Sequence, residues 1–230
     1  MRTHFYILPL LLLASACQSS SYRSYGDRPT IEEKTLLSVP ASARDDINKE
    51  RTTRTEALDR VALAELEVQR AQERHSIAKK DIGISNDELE AAEDRLELAR
   101  KGNESDRDDR IQTAIDRRDG VRARMHWARC QAQVEEGRVT KAEAQVTVAN
   151  RHVALADAKV ELAKAQAVRH LDRDDYDSID ILDFERSVAE EEAALKMAEI
   201  DAKATEEKLE VQQELLESRA KAVPASYRNS

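Results

Sequence analysis

The row of small apolar residues between Val139 and His170 constrains the fold more than any other feature of the chain. Steps of three and four residues connect valine and alanine without a break, at Val139, Ala142, Val146, Ala149, Val153, Ala156, Val160, Ala163, Ala167 and finally His170. The mean spacing of 3.5 residues keeps one row of side chains, which we call a seam, facing a partner helix while two helices wind around each other. The seam therefore predicts a long coiled-coil helix.

A second apolar row runs beside this seam, at Ala144, Val148, Leu155, Ala158, Leu162 and Ala165. One seam is sufficient for a two-stranded coil, whereas a broadened apolar face indicates two neighbouring helices. The chain is 36% charged and only 3% aromatic, which is typical of long helices and not of a thick globular core. We predict an all-α fold, an elongated antiparallel three-helix coiled coil that consists of a helical hairpin plus a shorter third helix.

Two polar turns divide the coiled-coil region, residues 44–222, into three helices. The first turn contains Gly102, which suits the left-handed residue that ends a helix, and the second contains four aspartates between residues 172 and 177. The predicted helices span 44–101, 106–170 and 179–222, and a polar tail follows at 223–230. The heptad pattern continues across Gly83, so one bent helix is expected there, although a short break is the alternative.

The N-terminus has the pattern of a secretory signal. A positive start is followed by the apolar run from Phe5 to Leu13, which is too short to span a bilayer as an anchor. Small residues then lead into Cys17, and the segment 13–17 resembles the lipobox of bacterial lipoproteins, except that Ala14 stands where leucine is commonest. An ordinary signal peptide with an incidental cysteine is the alternative.

The lipobox resemblance implies an address and an anchor. It implies that residues 1–16 are removed and that Cys17 carries a diacylglyceryl group and an N-acyl chain such as palmitate; several acyl chains anchor a protein stably. In that family, a residue such as Gln18 after the cysteine implies sorting to the outer membrane, facing the periplasm. Residues 17–43 contain Pro29 and Pro40 and show no helical period, so we predict a lipidated N-terminus followed by a flexible tether.

No set of residues has the spacing of a catalytic, cofactor or metal site. The aspartates between 172 and 177 lack the central glycine and the closing glutamate of a calcium-binding loop, so we interpret them as turn and capping residues. His75 and His170 occupy seam positions, where a tolerated polar residue is expected. We therefore predict no enzymatic activity, no cofactor, no metal and no small-molecule substrate.

Cys130 has no partner in the mature chain if Cys17 is acylated. Since the periplasm is oxidising, an odd cysteine indicates either a buried thiol or an intermolecular disulfide between two copies of the chain. Both interpretations stay open from the sequence, and the second implies a homo-oligomer.

Acidic charge is concentrated in residues 171–218, which hold 17 acidic and 5 basic side chains. A solvated coiled-coil face explains such a surplus, and a basic docking partner is the alternative. The sign of the charge disfavours nucleic acid as a partner.

The hairpin tip, which we define as residues 81–125, is expected to lie beyond the end of the third helix. Candidate partner-contact residues there are Arg95, Leu98, Asn103 and Ser105. Arg95, Leu96, Leu98 and Ser105 loosely resemble the Arg, Leu and Ser residues at the hairpin tips of lipid-anchored adaptors of tripartite efflux pumps, although their spacing departs from that pattern and the β-rich segments of that family are absent. The tail at 227–230 faintly resembles the end of the major murein lipoprotein but lacks the lysine through which that protein attaches to peptidoglycan.

These observations favour a non-enzymatic lipoprotein that is anchored in the outer membrane and acts as a coiled-coil spacer or scaffold in the cell envelope. The alternative is an adaptor or binding subunit of an envelope machine for secretion, efflux or motility, which contacts its protein partner through the hairpin tip.

Overall fold

The computed structural model describes residues 28–101, 107–169, 171 and 179–223. Helix accounts for 94% of these residues, and none of them forms a strand. The three long helices are α1 (Asp45–Lys101), α2 (Arg107–Arg169) and α3 (Ile181–Ala222). The predicted bounds differ from these by two residues or fewer, and α1 continues through Gly83 as one helix. Both predicted turns lie mainly outside the described residues.

The second helix is the centre of the bundle, because it packs against α1 on one side and against α3 on the other. Its apolar face is broad enough for both neighbours: seam residues such as Ala142, Ala149 and Val160 are buried, and so are Leu155 and Ala165 of the second row. The all-α architecture with two neighbours for α2 is therefore confirmed. At a rise of 1.5 Å per residue, the 57 residues of α1 extend for about 86 Å.

The pairing of the helices follows the predicted topology, with one difference in register. A hairpin folded about residue 103 would place Ile47 next to Val160. In the structure, Ile47 instead packs with Ala163 and Ala167, up to two helical turns further along α2. The pairing of α3 with α2 agrees with a fold about residue 174, since Lys141 forms an ion pair with Glu206 at 2.5 Å.

The prediction of a flexible tether is wrong for residues 28–43. Residues 28–44, which we call the arm, contain two 3₁₀ turns at Glu33–Ser38 and Ala41–Arg44 and pack against the bundle. Leu36 and Val39 are buried in one cluster with Ile47 and Val168. The proline-containing segment therefore has a fixed place because its apolar side chains cover the end of the bundle where α1 begins and α2 ends.

The described helices include no segment that is both long enough and apolar enough to cross a membrane.

Candidate functional site: the arm contact and the hairpin tip

The arm is attached to the bundle by a buried lysine. Lys164 of α2 is only 6% exposed, and its Nζ lies 2.8 Å from Glu161 Oε1 and 2.7 Å from Glu33 Oε1 of the arm. The other carboxylate oxygen of Glu161 accepts a hydrogen bond from the backbone N–H of Ile31 at 2.8 Å. The lysine and the glutamate of α2 together bind a side chain and a backbone group of the arm.

Charge and burial act in opposite directions on this lysine. Burial lowers the pKa of Lys164, but hydrogen bonds to Glu161 and Glu33 outweigh it, so the pKa is raised above its ordinary value of 10.5. The pKa of Glu33 is lowered below 4.5, chiefly by the hydrogen bond from Lys164 and then by the one from Arg51. Each ion therefore favours the charged form of the other.

A second buried charge connects the arm to α3. The carboxylate of Glu191 is buried; it forms an ion pair with Arg28 of the arm and a longer one with Arg151 of α2 at 3.7 Å. Because a buried carboxylate is costly without cationic partners, this site fixes the arm relative to α2 and α3 together.

Arg44 also forms hydrogen bonds with backbone carbonyl groups of the arm. Arg44 Nε donates a hydrogen bond to the carbonyl of Val39 at 2.8 Å, and its Nη2 donates to the carbonyl of Leu37 at 3.1 Å. The arm is thus an ordered segment at one end of the rod, while α1 ends at Lys101 and α2 begins at Arg107 at the other end.

Two of the predicted tip residues are described, and both are accessible. Arg95 is exposed and Leu98 is 68% exposed; Asn103 and Ser105 lie outside the described residues. Ion pairs between Arg122 and Glu93 at 3.1 Å and between Arg124 and Glu88 at 2.9 Å connect the two helices of the hairpin.

The two cysteines differ in what the structure describes. Cys130 is half-buried on α2 and is not in a disulfide, near the end of α3; Cys17 lies outside the described residues. His75 is half-buried at its seam position, and His170 lies outside the described residues. No group of three or more potential metal ligands occurs among the residues that the structure describes.

An open groove of about 400 Å³ lies along α2, between α1 and α3. Its walls mix cations and carboxylates, including Arg60, Lys141 and Glu206, and its floor contains Ala149 and His152. The hydrogen bond from Lys141 lowers the pKa of Glu206. Lys141 and Glu206 pair with each other, and the sequence had not singled out the charged residues of this groove.

Sequence reasoning also missed Gly137, Glu161, Lys164 and Glu191. A Cβ atom at Gly137 would collide with Gln212 Oε1 and lie 3.1 Å from Leu209 Cδ1, so glycine allows α3 to approach α2 closely there. A glycine inside a strongly helical stretch was the available signal. The charged residues gave no signal, because isolated charges beside a seam are common on coiled coils.

No family model, no curated protein and no solved structure matches this chain in the comparisons.

Proposed function

We propose that this protein is a lipoprotein of the outer membrane, facing the periplasm, that acts as a non-enzymatic spacer or scaffold of the cell envelope. One observation supports this above the others: the chain enters the rod through an arm that is fixed at the end opposite the hairpin tip. Acylated Cys17 would lie only 11 residues before Arg28, where the described arm begins. A membrane anchor at Cys17 would then hold one end of a rod of about 86 Å and leave the other accessible.

A second candidate function is an adaptor that binds a protein of an envelope machine through the tip. It is favoured by the exposure of Leu98, close to the end of α1. Large apolar side chains that are accessible near the end of a rod are typical of contact sites. A spacer needs the length of the rod, whereas an adaptor needs the surface of its tip.

Deleting one matched heptad from both helices separates the two functions. Removing residues 84–90 together with 122–128 keeps the seams in phase and shortens the rod by about 10 Å. If the protein is a spacer, this variant alters envelope spacing in electron tomograms, while Arg95→Ala with Leu98→Ala leaves the spacing unchanged. If it is an adaptor, the tip substitutions abolish partner capture and the shortened rod retains it.

Anchoring is tested separately by Cys17→Ser. We expect this substitution to abolish palmitate labelling and to release the protein from membranes. Labelling that persists in the variant would refute the lipoprotein assignment and leave the rod itself unaffected.

A further inference from the structure

The face of α3 that points away from α2 carries a second heptad row. We define this outer stripe by Ala193, Met197, Ile200, Ala204 and Val211, which follow one another in steps of three, four and seven. All five are exposed, and the large ones strongly so: Met197 is 60%, Ile200 54% and Val211 66% exposed. The inner row of α3, with Phe184, Ala198 and Leu209, is buried against α2. A helix with heptad rows on two opposite faces has the pattern for two coiled-coil partners.

We propose that the outer stripe binds the outer stripe of a second copy of this chain, with the two α3 helices antiparallel. Placing Ile200 opposite Val211 of the second copy buries both of the large β-branched side chains twice, once on each side of the two-fold axis. The same register places Ala204 opposite Glu207 and Met197 opposite Glu214. Because Ala204 is small and Met197 is flexible, the carboxylates of Glu207 and Glu214 have room to reach water.

Charge complementarity supports this occupant and this register. In an antiparallel coiled coil, the positions that flank the apolar row on one side face the same side of the partner helix. Lys203 then lies opposite Glu210 of the second copy, and Lys196 lies opposite Glu217. On the other flank, Asp201 lies opposite Lys208. Every lysine between residues 190 and 220 faces a carboxylate, and the symmetry doubles each pair.

The parallel arrangement fails on the same residues. It would place Glu207 against its own copy, and Glu214 likewise, inside the apolar row. It would also place Lys203 beside Lys208 of the second copy on the flank. Like charges that face each other destabilise a pairing and act as a device against it. The excess acid of α3 does not oppose the antiparallel pairing, since Glu192 and Glu206 point toward Lys159 and Lys141 of α2.

The proposed pairing of the two α3 helices does not depend on the proposed function. The arms of the two copies would lie at opposite ends of the dimer.

Disulfide trapping tests the register with the full chain. In a background that carries Cys17→Ser and Cys130→Ala, we introduce Ile200→Cys and Val211→Cys, separately and together, and oxidise the purified protein with a copper catalyst. Only the double variant should form a covalent dimer on a non-reducing gel. In the proposed register, the two copies of each single site are offset by 11 residues, about 16 Å, which is beyond the reach of a disulfide. Absence of a dimer from the double variant, or efficient dimers from either single variant, would overturn the proposal.

Sedimentation equilibrium of the same background tests the stripe and its charges. Val211→Glu should weaken self-association at least about tenfold, because the pairing would then bury a carboxylate where Val211 packs against Ile200 of the second copy. Leu63→Glu is the matched control, since Leu63 of α1 is equally exposed, at 65%; it should change nothing.

Charge reversal gives a test that a folding defect cannot imitate. Lys203→Glu should weaken the dimer about tenfold by placing carboxylates opposite each other twice, and Glu210→Lys should do the same with cations. The two substitutions in one chain should restore the original association. A monomer at all concentrations in the unmodified background, or no rescue in the double variant, would overturn the proposed pairing.

Discussion

Two glycines inside long helices should respond to alanine in opposite directions. At Gly83 of α1, an added Cβ would have no heavy atom within 4 Å outside its own helix segment, so Gly83→Ala changes only the backbone. Alanine is favoured over glycine in a helix interior by about 1 kcal/mol, and we expect the free energy of unfolding to rise by about that amount. At Gly137 the same gain is opposed by contacts with Gln212 and Leu209 of α3.

The size of the effect at Gly137 follows from those contacts. The amide of Gln212 is the end of a flexible side chain and can rotate away, but Leu209 is buried and must shift with its helix. Inserting a methyl group into a packed site costs about 1–3 kcal/mol. After the helical gain of about 1 kcal/mol is subtracted, Gly137→Ala should lower the free energy of unfolding by about 1 kcal/mol. The two variants should therefore differ by about 2 kcal/mol.

Urea unfolding followed by circular dichroism at 222 nm measures both variants under the same conditions. A fluorescence probe on α3 should also show that only Gly137→Ala loosens the contact between α2 and α3. If Gly137→Ala stabilised the protein as much as Gly83→Ala does, α3 could not lie against α2 at Leu209, and the close contact between the two helices at Gly137 would be wrong.

Four other predictions concern the arm, the thiol and the tip. Lys164→Ala should leave the half-buried carboxylate of Glu161 without its cation and weaken the attachment of the arm by about 2 kcal/mol. Lys159→Ala, which removes a more exposed pair between α2 and α3, is the control and should change the attachment of the arm by less than about 0.5 kcal/mol. Protease cleavage within residues 28–44 measures the effect of both substitutions on the arm. Because the pKa of Glu33 is lowered, the stability that Glu33 gives to the arm is present above pH 4.5 and is lost as the pH falls further. Because the pKa of Lys164 is raised, the stability that Lys164 gives to the arm is present below pH 10.5 and is lost as the pH rises further. Cleavage of the arm should therefore increase at both extremes of pH. On a non-reducing gel of envelope fractions, half-buried Cys130 should run as a monomer, and a dimer that Cys130→Ala eliminates would show that it bridges two chains. Amide exchange should be faster across 85–120 than across 139–168, because the tip lacks the third helix, and equal protection in both segments would contradict this.

The helices could be predicted because heptad spacing is a local signal that repeats many times. The seam from Val139 to Ala167 fixes which face of α2 is buried, and the second row through Leu155 and Ala165 adds the second neighbour. The register between α1 and α2 could not be obtained in the same way. A heptad seam accepts any shift of seven residues, and the midpoint of an undescribed turn is a poor guide to which shift is chosen.

The arm could not be predicted because its contacts are distant in sequence and few in number. Leu36 and Val39 are two apolar residues among prolines and charges, and no local pattern shows that they lie against Val168 of α2. Glu33 and Lys164 are 131 positions apart, and no local pattern marks either residue as a member of an ion pair. Only the exposure of the tip could be predicted, because it follows from the lengths of the helices.

The outer stripe of α3 could not be recognised from the sequence for a related reason. In a sequence with many alanines and valines, a row is noticed when it is complete, and the outer stripe is interrupted by Glu207 and Glu214. Only the exposure of Met197, Ile200 and Val211 on the face opposite α2 separates this row from the buried one. Once the row is separated, its two carboxylates become informative, because they oppose a parallel pairing and are tolerated in an antiparallel one. Apparent defects in a heptad row can thus specify the direction in which a second helix binds.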